Sequence, residues 1–134
     1  MAVTRHEALE LRTEEQVVRV RQHARKWAAE LGFSLVDQTK VVTAASELAR
    51  NTVVYGGGGQ VRFAALQEGV RRGLRLVFED QGPGIADVEL ALRDGYTTGN
   101  GLGLGLGGAK RLVNEFEIES RPGRGTRITI TRWK

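Results

Sequence analysis

Residues 101–108 read Gly-Leu-Gly-Leu-Gly-Leu-Gly-Gly, and what flanks them decides the fold. Spaced glycines at the head of a helix let backbone N–H groups converge on an anion, with the helix dipole adding to the attraction. Gly103, Gly105 and Gly108 match the spacing of a dinucleotide-binding turn, but that turn needs a strand running directly into it. Here Asp94 to Asn100 precede it, a polar stretch with no apolar period that reads as a loop. The lysine-containing phosphate loop fails as well, because Lys110 follows Ala109 and precedes Arg111. The regular leucines at 102, 104 and 106 argue against a mere flexible linker.

Downstream, Ala109 to Asn114 continue as a helix, and Phe116 to Ser120 and Thr126 to Trp133 alternate around Arg121-Pro122-Gly123-Arg124-Gly125 as a hairpin. Upstream, Gln60 to Gln67 and Leu74 to Asp80 form a second hairpin, followed by the sharp turn Gln81-Gly82-Pro83-Gly84 and a short helix from Asp87 to Leu92. Before these come two helices. Val17, Val20, Ala24, Trp27, Ala28 and Leu31 recur at helical spacing behind a Thr13/Gln16 capping box, and Gly32 ends the run. Asp37 is the expected cap of the second, whose core face carries Val41, Val42, Ala45, Leu48 and Ala49 and which stops at Gly56 to Gly59. Glu7 to Arg12 alternate as a short first strand. Strand, two helices, hairpin, loop and helix, hairpin is not the strict alternation of a doubly wound sheet. It predicts an α+β two-layer sandwich, with a mixed, mostly antiparallel sheet and helices on one face.

With 134 residues, 40% of them apolar, the chain suits one domain spanning 1–134 around one core. Aromatics are only 6%, so Leu, Val, Ile and Ala must build that core. There is no cysteine, which excludes disulfides, thiolate metal sites and a thiol nucleophile, and without a signal peptide the cytoplasm is the expected location. No apolar run is long enough to insert into a membrane. The net charge of +4 suits a polyanionic ligand, yet the arginines are spread along the chain and form no nucleic-acid-binding arm.

Three features could carry chemistry. Glu47 and Asn51, four apart, share a helix face. A carboxylate can take a proton from an attacking hydroxyl, and an amide oxygen suits magnesium. Taken alone, such a pair is more often a polar surface. Asp80, at the end of an apolar strand before Gly82 and Gly84, can accept a hydrogen bond from a base amino group, although singly it also reads as a turn cap. The glycine run is the third.

In chain order, Glu47-Leu48-Ala49-Arg50-Asn51, Asp80-Gln81-Gly82-Pro83-Gly84-Ile85, Gly101 to Leu106 and Gly123-Arg124-Gly125-Thr126 resemble the four boxes of the GHKL ATPase and kinase superfamily, whose ATP-binding fold is called Bergerat. That superfamily includes gyrase, Hsp90, MutL, histidine kinases and anti-sigma-factor kinases. His6 and His23 lie in no His-acid-x-x-x-Pro context, so neither resembles a phosphoacceptor histidine. Ala44 to Asn51, Tyr55 to Gly59, Asp94 to Thr98 and Arg111 to Ile118 look most like the RsbT-type switch serine/threonine kinases of the stressosome. An anti-sigma factor proper would be expected to carry His-Gly or His-Ala where this chain has Tyr55-Gly56.

The resemblance implies ATP and Mg2+ as cofactors, with Glu47 as general base, Asn51 as magnesium ligand and Asp80 as adenine reader assisted by Thr126 through water. Gly82 and Gly84 would line the base, Gly101, Gly103 and Gly105 would wrap the phosphates, and Asp94 to Asn100 would belong to a lid with Arg93 near the terminal phosphate. It also implies STAS-domain proteins as acceptors and scaffold, and a PP2C-type phosphatase as a partner activated on release. Two alternatives stand beside it, an anti-sigma-factor kinase and a nucleotide-gated partner switch with little catalysis.

Overall fold

A computed structural model of the chain describes residues 1–93 and 105–134. The elements run β1 (Ala2–Leu11), α1 (Glu14–Glu30), α2 (Leu35–Val54), β2 (Gly59–Glu68), β3 (Arg71–Asp80), α3 (Val88–Ala91), α4 (Leu106–Arg111), β4 (Glu115–Ser120) and β5 (Thr126–Trp133). Five strands form one sheet in the order β1-β2-β3-β5-β4, and every pairing is antiparallel. The expected loop Asp94 to Asn100, with Gly101 and Gly103, lies outside the described residues.

The core follows from strand parity. Val61, Phe63 and Ala65 of β2, Leu74, Leu76 and Phe78 of β3, and Ile128 and Ile130 of β5 are buried on one face. Against them lie Val17, Val20, Ala24 and Trp27 of α1 and Val41, Ala45 and Leu48 of α2. Trp27 meets Phe63 at 5.4 Å between ring centroids, a tilted pair worth about 0.5–1.5 kcal/mol beyond area burial.

Local chemistry explains where the elements begin and end. The Thr13/Gln16 capping box opens α1 in both directions: Gln16 N donates to Thr13 Oγ1 at 3.2 Å, and Thr13 N to Gln16 Oε1 at 3.2 Å. Helix α2 is capped by Ser34, not by Asp37. The serine hydroxyl accepts the Asp37 N–H at 3.1 Å, which frees the Asp37 carboxylate to take a hydrogen bond from Arg132 at 2.8 Å.

Strands β1 and β3 start earlier than their apolar alternation suggests. Ala2 pairs with Gln67 and Arg71 with Glu68, so the second hairpin turns on Gly69 and Val70 alone. Backbone pairing continues past the buried stretch, where polar side chains face water and no longer signal a strand. Helix α4 likewise starts at Leu106 instead of Ala109, and it ends before Asn114, whose N–H donates to Thr131 O and whose side chain receives the Trp133 N–H.

Candidate active site

The sheet sets the floor of the site. Asp80 ends β3 opposite Thr126, which begins β5, and parity points both side chains to the helix-covered face. Helix α2 passes above. Leu48, Asn51, Thr52 and Tyr55 close over Phe78, Asp80, Ile85 and Thr126, with Leu106 of α4 sealing the side. The recess left between them is about 20 Å³, room for about one water. Any ligand larger than a water must displace part of this wall to enter it.

Asp80 is held from three directions. Its Oδ1 accepts the Gly82 N–H at 2.9 Å, and its carboxyl also receives the Thr126 backbone N–H. Burial raises its pKa above the ordinary 3.8, and those two backbone hydrogen bonds oppose the rise without cancelling it. The third contact is Gly56, whose backbone lies so close to the carboxyl that a Cβ there would overlap it. Gly56 is where α2 has just ended, with its N–H donating to Asn51 O at 2.9 Å.

The turn after β3 is tied on both sides. Tyr55 Oη donates to Gly84 O at 2.9 Å, and Gly123 N donates to Pro83 O at 2.7 Å. Ser120 accepts the Ile85 N–H at 2.7 Å and shares a hydrogen bond of 2.8 Å with Thr126 Oγ1. The end of β4 therefore positions both the Gly82 to Ile85 turn and the Thr126 hydroxyl.

One turn before Asn51, Glu47 projects from α2 towards the head of α4. Its carboxylate abuts Gly105, which caps α4 in the left-handed region at φ 61°. A side chain at 105 would both strain the backbone and drive Glu47 aside. The structure thus brings together Glu47, Asn51, Asp80, Gly82, Gly84, Gly105 and Thr126. Arg93 is exposed, just past α3.

Three residues of the site are absent from the expectations above. Tyr55 could have been found, since it stands four after Asn51 and eight after Glu47 on one helical face. Ser120 had a weaker signal, being a polar residue at the core parity set by Phe116 and Ile118. Gly56 had none, because within four consecutive glycines it reads only as a helix stop.

Gly56→Ala is expected to cost about 1–3 kcal/mol of stability by overpacking. If Asp80 reads adenine as the resemblance implies, its displacement should also weaken ATP binding about tenfold or more. Thermal melts and calorimetric titration check the pair of effects together, and a variant that melts lower but binds ATP normally would separate Gly56 from the site.

Residues 36–134 match the family described as histidine kinase-, DNA gyrase B-, and HSP90-like ATPase. Over 121 residues the chain is 46% identical to the serine/threonine-protein kinase RsbT of Bacillus subtilis, covering 90% of this chain and 91% of that protein. It is 28% identical to the anti-sigma F factor of Thermoanaerobacter sp. (strain X514), over 80% of this chain and 78% of that one. Among solved structures, one of the RsbU and RsbW domains of a Mycobacterium tuberculosis protein superposes with a TM-score of 0.59 at 25% identity, over 96% of this chain and 32% of that one. The catalytic domain of the histidine kinase ThkA, at 17% identity over 96% of this chain and 98% of that one, gives a TM-score of 0.54 and shares the fold. With a floor of Asp80 and Thr126, a roof carrying Glu47 and Asn51, and these matches over most of its length, the chain belongs to the histidine kinase-, gyrase- and HSP90-like ATPase family, in its RsbT-type serine/threonine kinase branch.

Proposed function

We propose that this kinase transfers the γ-phosphoryl group of ATP to a serine or threonine of a STAS-domain protein in a stressosome, and that once released it binds and activates a PP2C-type phosphatase. The observation that carries the reading is the placement of Glu47: a carboxylate at the mouth of the site, against the first described residue of the glycine-rich segment and one turn from Asn51.

In this reading the adenine amino group donates to the Asp80 carboxylate, whose position Gly56, Gly82 and Thr126 fix. Tyr55 and Ser120 hold the turn along the base, and Gly82 and Gly84 line it. Gly105, with Gly101 and Gly103, wraps the phosphates. The acceptor hydroxyl gives its proton to Glu47 as its oxygen bonds to the γ-phosphorus and the bond to the β-phosphate oxygen breaks, leaving ADP. Asn51 is the protein ligand that would hold Mg2+, and the fit rests on its amide oxygen, a hard donor that leaves the remaining positions to phosphates and waters. When bound, the ion neutralises developing phosphate charge. No helix among the described residues is long and apolar enough to cross a membrane, and the reading places the kinase in the cytoplasm.

The test is incubation with γ-labelled Mg-ATP and the STAS-domain proteins of the source organism. Label on a serine or threonine is expected, and none appearing while ATP is bound would overturn the proposal.

Asp80 also makes ATP affinity sensitive to acid. Base recognition needs the carboxylate, so affinity should fall as pH drops through the raised native pKa, earlier than the ordinary value of 3.8 would give. Folding stability has the opposite sign. The folded pKa lies above the unfolded one, so ionisation of Asp80 costs stability above the native value, and that cost disappears as pH falls below 3.8. Titrations of ATP affinity and of thermal stability from neutral pH downward check both signs. Asp80→Asn should flatten the affinity profile.

A further inference from the structure

The hydroxyls that line the recess around Asp80 have their protons committed to the protein. Thr52 Oγ1 donates to Leu48 O at 2.9 Å, and Tyr55 Oη donates to Gly84 O at 2.9 Å. Thr126 is the third, and its Oγ1 lies 2.8 Å from Ser120 Oγ, a pair in which either oxygen could be the donor. The other contacts of Ser120 settle the direction. A serine hydroxyl has one proton and two lone pairs. The Ile85 N–H fills one lone pair at 2.7 Å, and the proton goes to Gly125 O at 3.1 Å, because a carbonyl can only accept. What remains for Thr126 is the second lone pair, so Thr126 is the donor.

Gly125 is buried, and a buried carbonyl is seldom left without a donor. Thr126 Oγ1 therefore turns lone pairs to the recess, beside its cross-strand neighbour Asp80. The N–H groups of Gly82 and Thr126 are committed as well, to the Asp80 carboxyl. Apart from the Asn51 amide, the polar side chains of the lining thus present acceptors.

We propose that Ser120 sets the base specificity of this kinase: by taking the Thr126 proton it keeps the floor of the recess acceptor-only, which admits a 6-amino purine and rejects a 6-oxo purine. The proposal rests on the reading of this recess as the base site. An exocyclic amino group brings two hydrogens to the lone pairs of Asp80 and Thr126. A carbonyl brings none, and leaves its oxygen against theirs with no proton between them. The room for about one water lets a bridging water donate to the neighbouring ring nitrogen. Ser120 lies outside the lining and acts through the Thr126 hydroxyl, as a positioning residue.

The experiment compares the affinities of ATP and inosine triphosphate, which carries a carbonyl in place of the amino group, by calorimetric titration at neutral pH. Wild type should prefer ATP about 10–100-fold. Ser120→Ala removes the acceptor of the Thr126 proton, which then turns to the ligand. The preference for ATP should shrink about fivefold or more, the worth of one neutral hydrogen bond, and Ser120→Thr should restore it. Losing the Ile85 contact weakens both nucleotides alike and cancels in the ratio. Thr126→Val keeps the Ile85 and Gly125 bonds of Ser120, so it serves even where Ser120→Ala fails to fold, and it should shrink the preference too. Were the Thr126 proton aimed at the base, removing it would widen the preference instead. An unchanged or widened ratio in either variant overturns the inference and leaves the nucleotide site standing, as does a wild type that binds both nucleotides equally. A wild type that binds neither overturns the base-site reading and the inference with it.

Discussion

Glu47→Ala should reduce phosphoryl transfer to a STAS acceptor by about 10²–10⁴-fold, the range a positioned general base contributes. Its ATP affinity should remain close to wild type. The carboxylate faces the head of α4 and takes no part in the recess around Asp80, Thr126 and Ile85. In the proposed mechanism, removing it leaves the recess around Asp80 in place and takes away only the group assigned to accept the hydroxyl proton. Glu47→Gln sharpens the test, because it keeps the shape packed against Gly105 while losing basicity. Both variants should show a fall in kcat with KM for ATP nearly unchanged. A Glu47→Ala protein that transfers phosphate at the wild-type rate would remove the residue from the base role.

The second large effect is on binding. Asp80→Asn should weaken ATP about 10–100-fold, equivalent to the roughly 1–3 kcal/mol lost when a buried polar contact becomes mismatched. An ionised carboxylate only accepts hydrogen bonds, and this one already receives the N–H groups of Gly82 and Thr126 while keeping lone pairs for an incoming amino group. The amide puts an NH2 where one of those donors points, so either a backbone N–H or the adenine amino group faces another donor. At saturating ATP the transfer rate should be nearly normal. The two variants are thus expected to divide the kinetic constants between them, Glu47 in kcat and Asp80 in the affinity for ATP.

Much of this was legible in the sequence, and the reason differs from element to element. The apolar period of Val17, Val20, Ala24 and Trp27 reveals α1 because a helix that buries one face must repeat near every 3.6 residues. The outer halves of β1 and β3 leave no such mark, since their side chains face water and only backbone hydrogen bonds hold them. Asp37 misled as a cap because Ser34, three residues earlier, already opens the helix by accepting the Asp37 N–H, and only the tertiary contact with Arg132 shows what the aspartate does instead.

Within the site, Glu47, Asn51 and Asp80 stand out because each combines a chemically apt side chain with a regular element that fixes its direction. The supporting residues are different. Gly56 matters through atoms that it lacks, and Ser120 through contacts 35 residues distant in sequence, at Ile85. No local pattern encodes Gly56, and only the parity of β4 hints at Ser120.

The most direct test of the nucleotide site is a crystal structure with a non-hydrolysable ATP analogue and Mg2+. The expected result places the adenine amino group at hydrogen-bond distance, about 2.7–3.2 Å, from the Asp80 carboxylate, with the Asn51 side-chain oxygen on the metal and Leu106 displaced from its present place in the recess. A base bound away from Asp80, or a metal with no contact to Asn51, would contradict it.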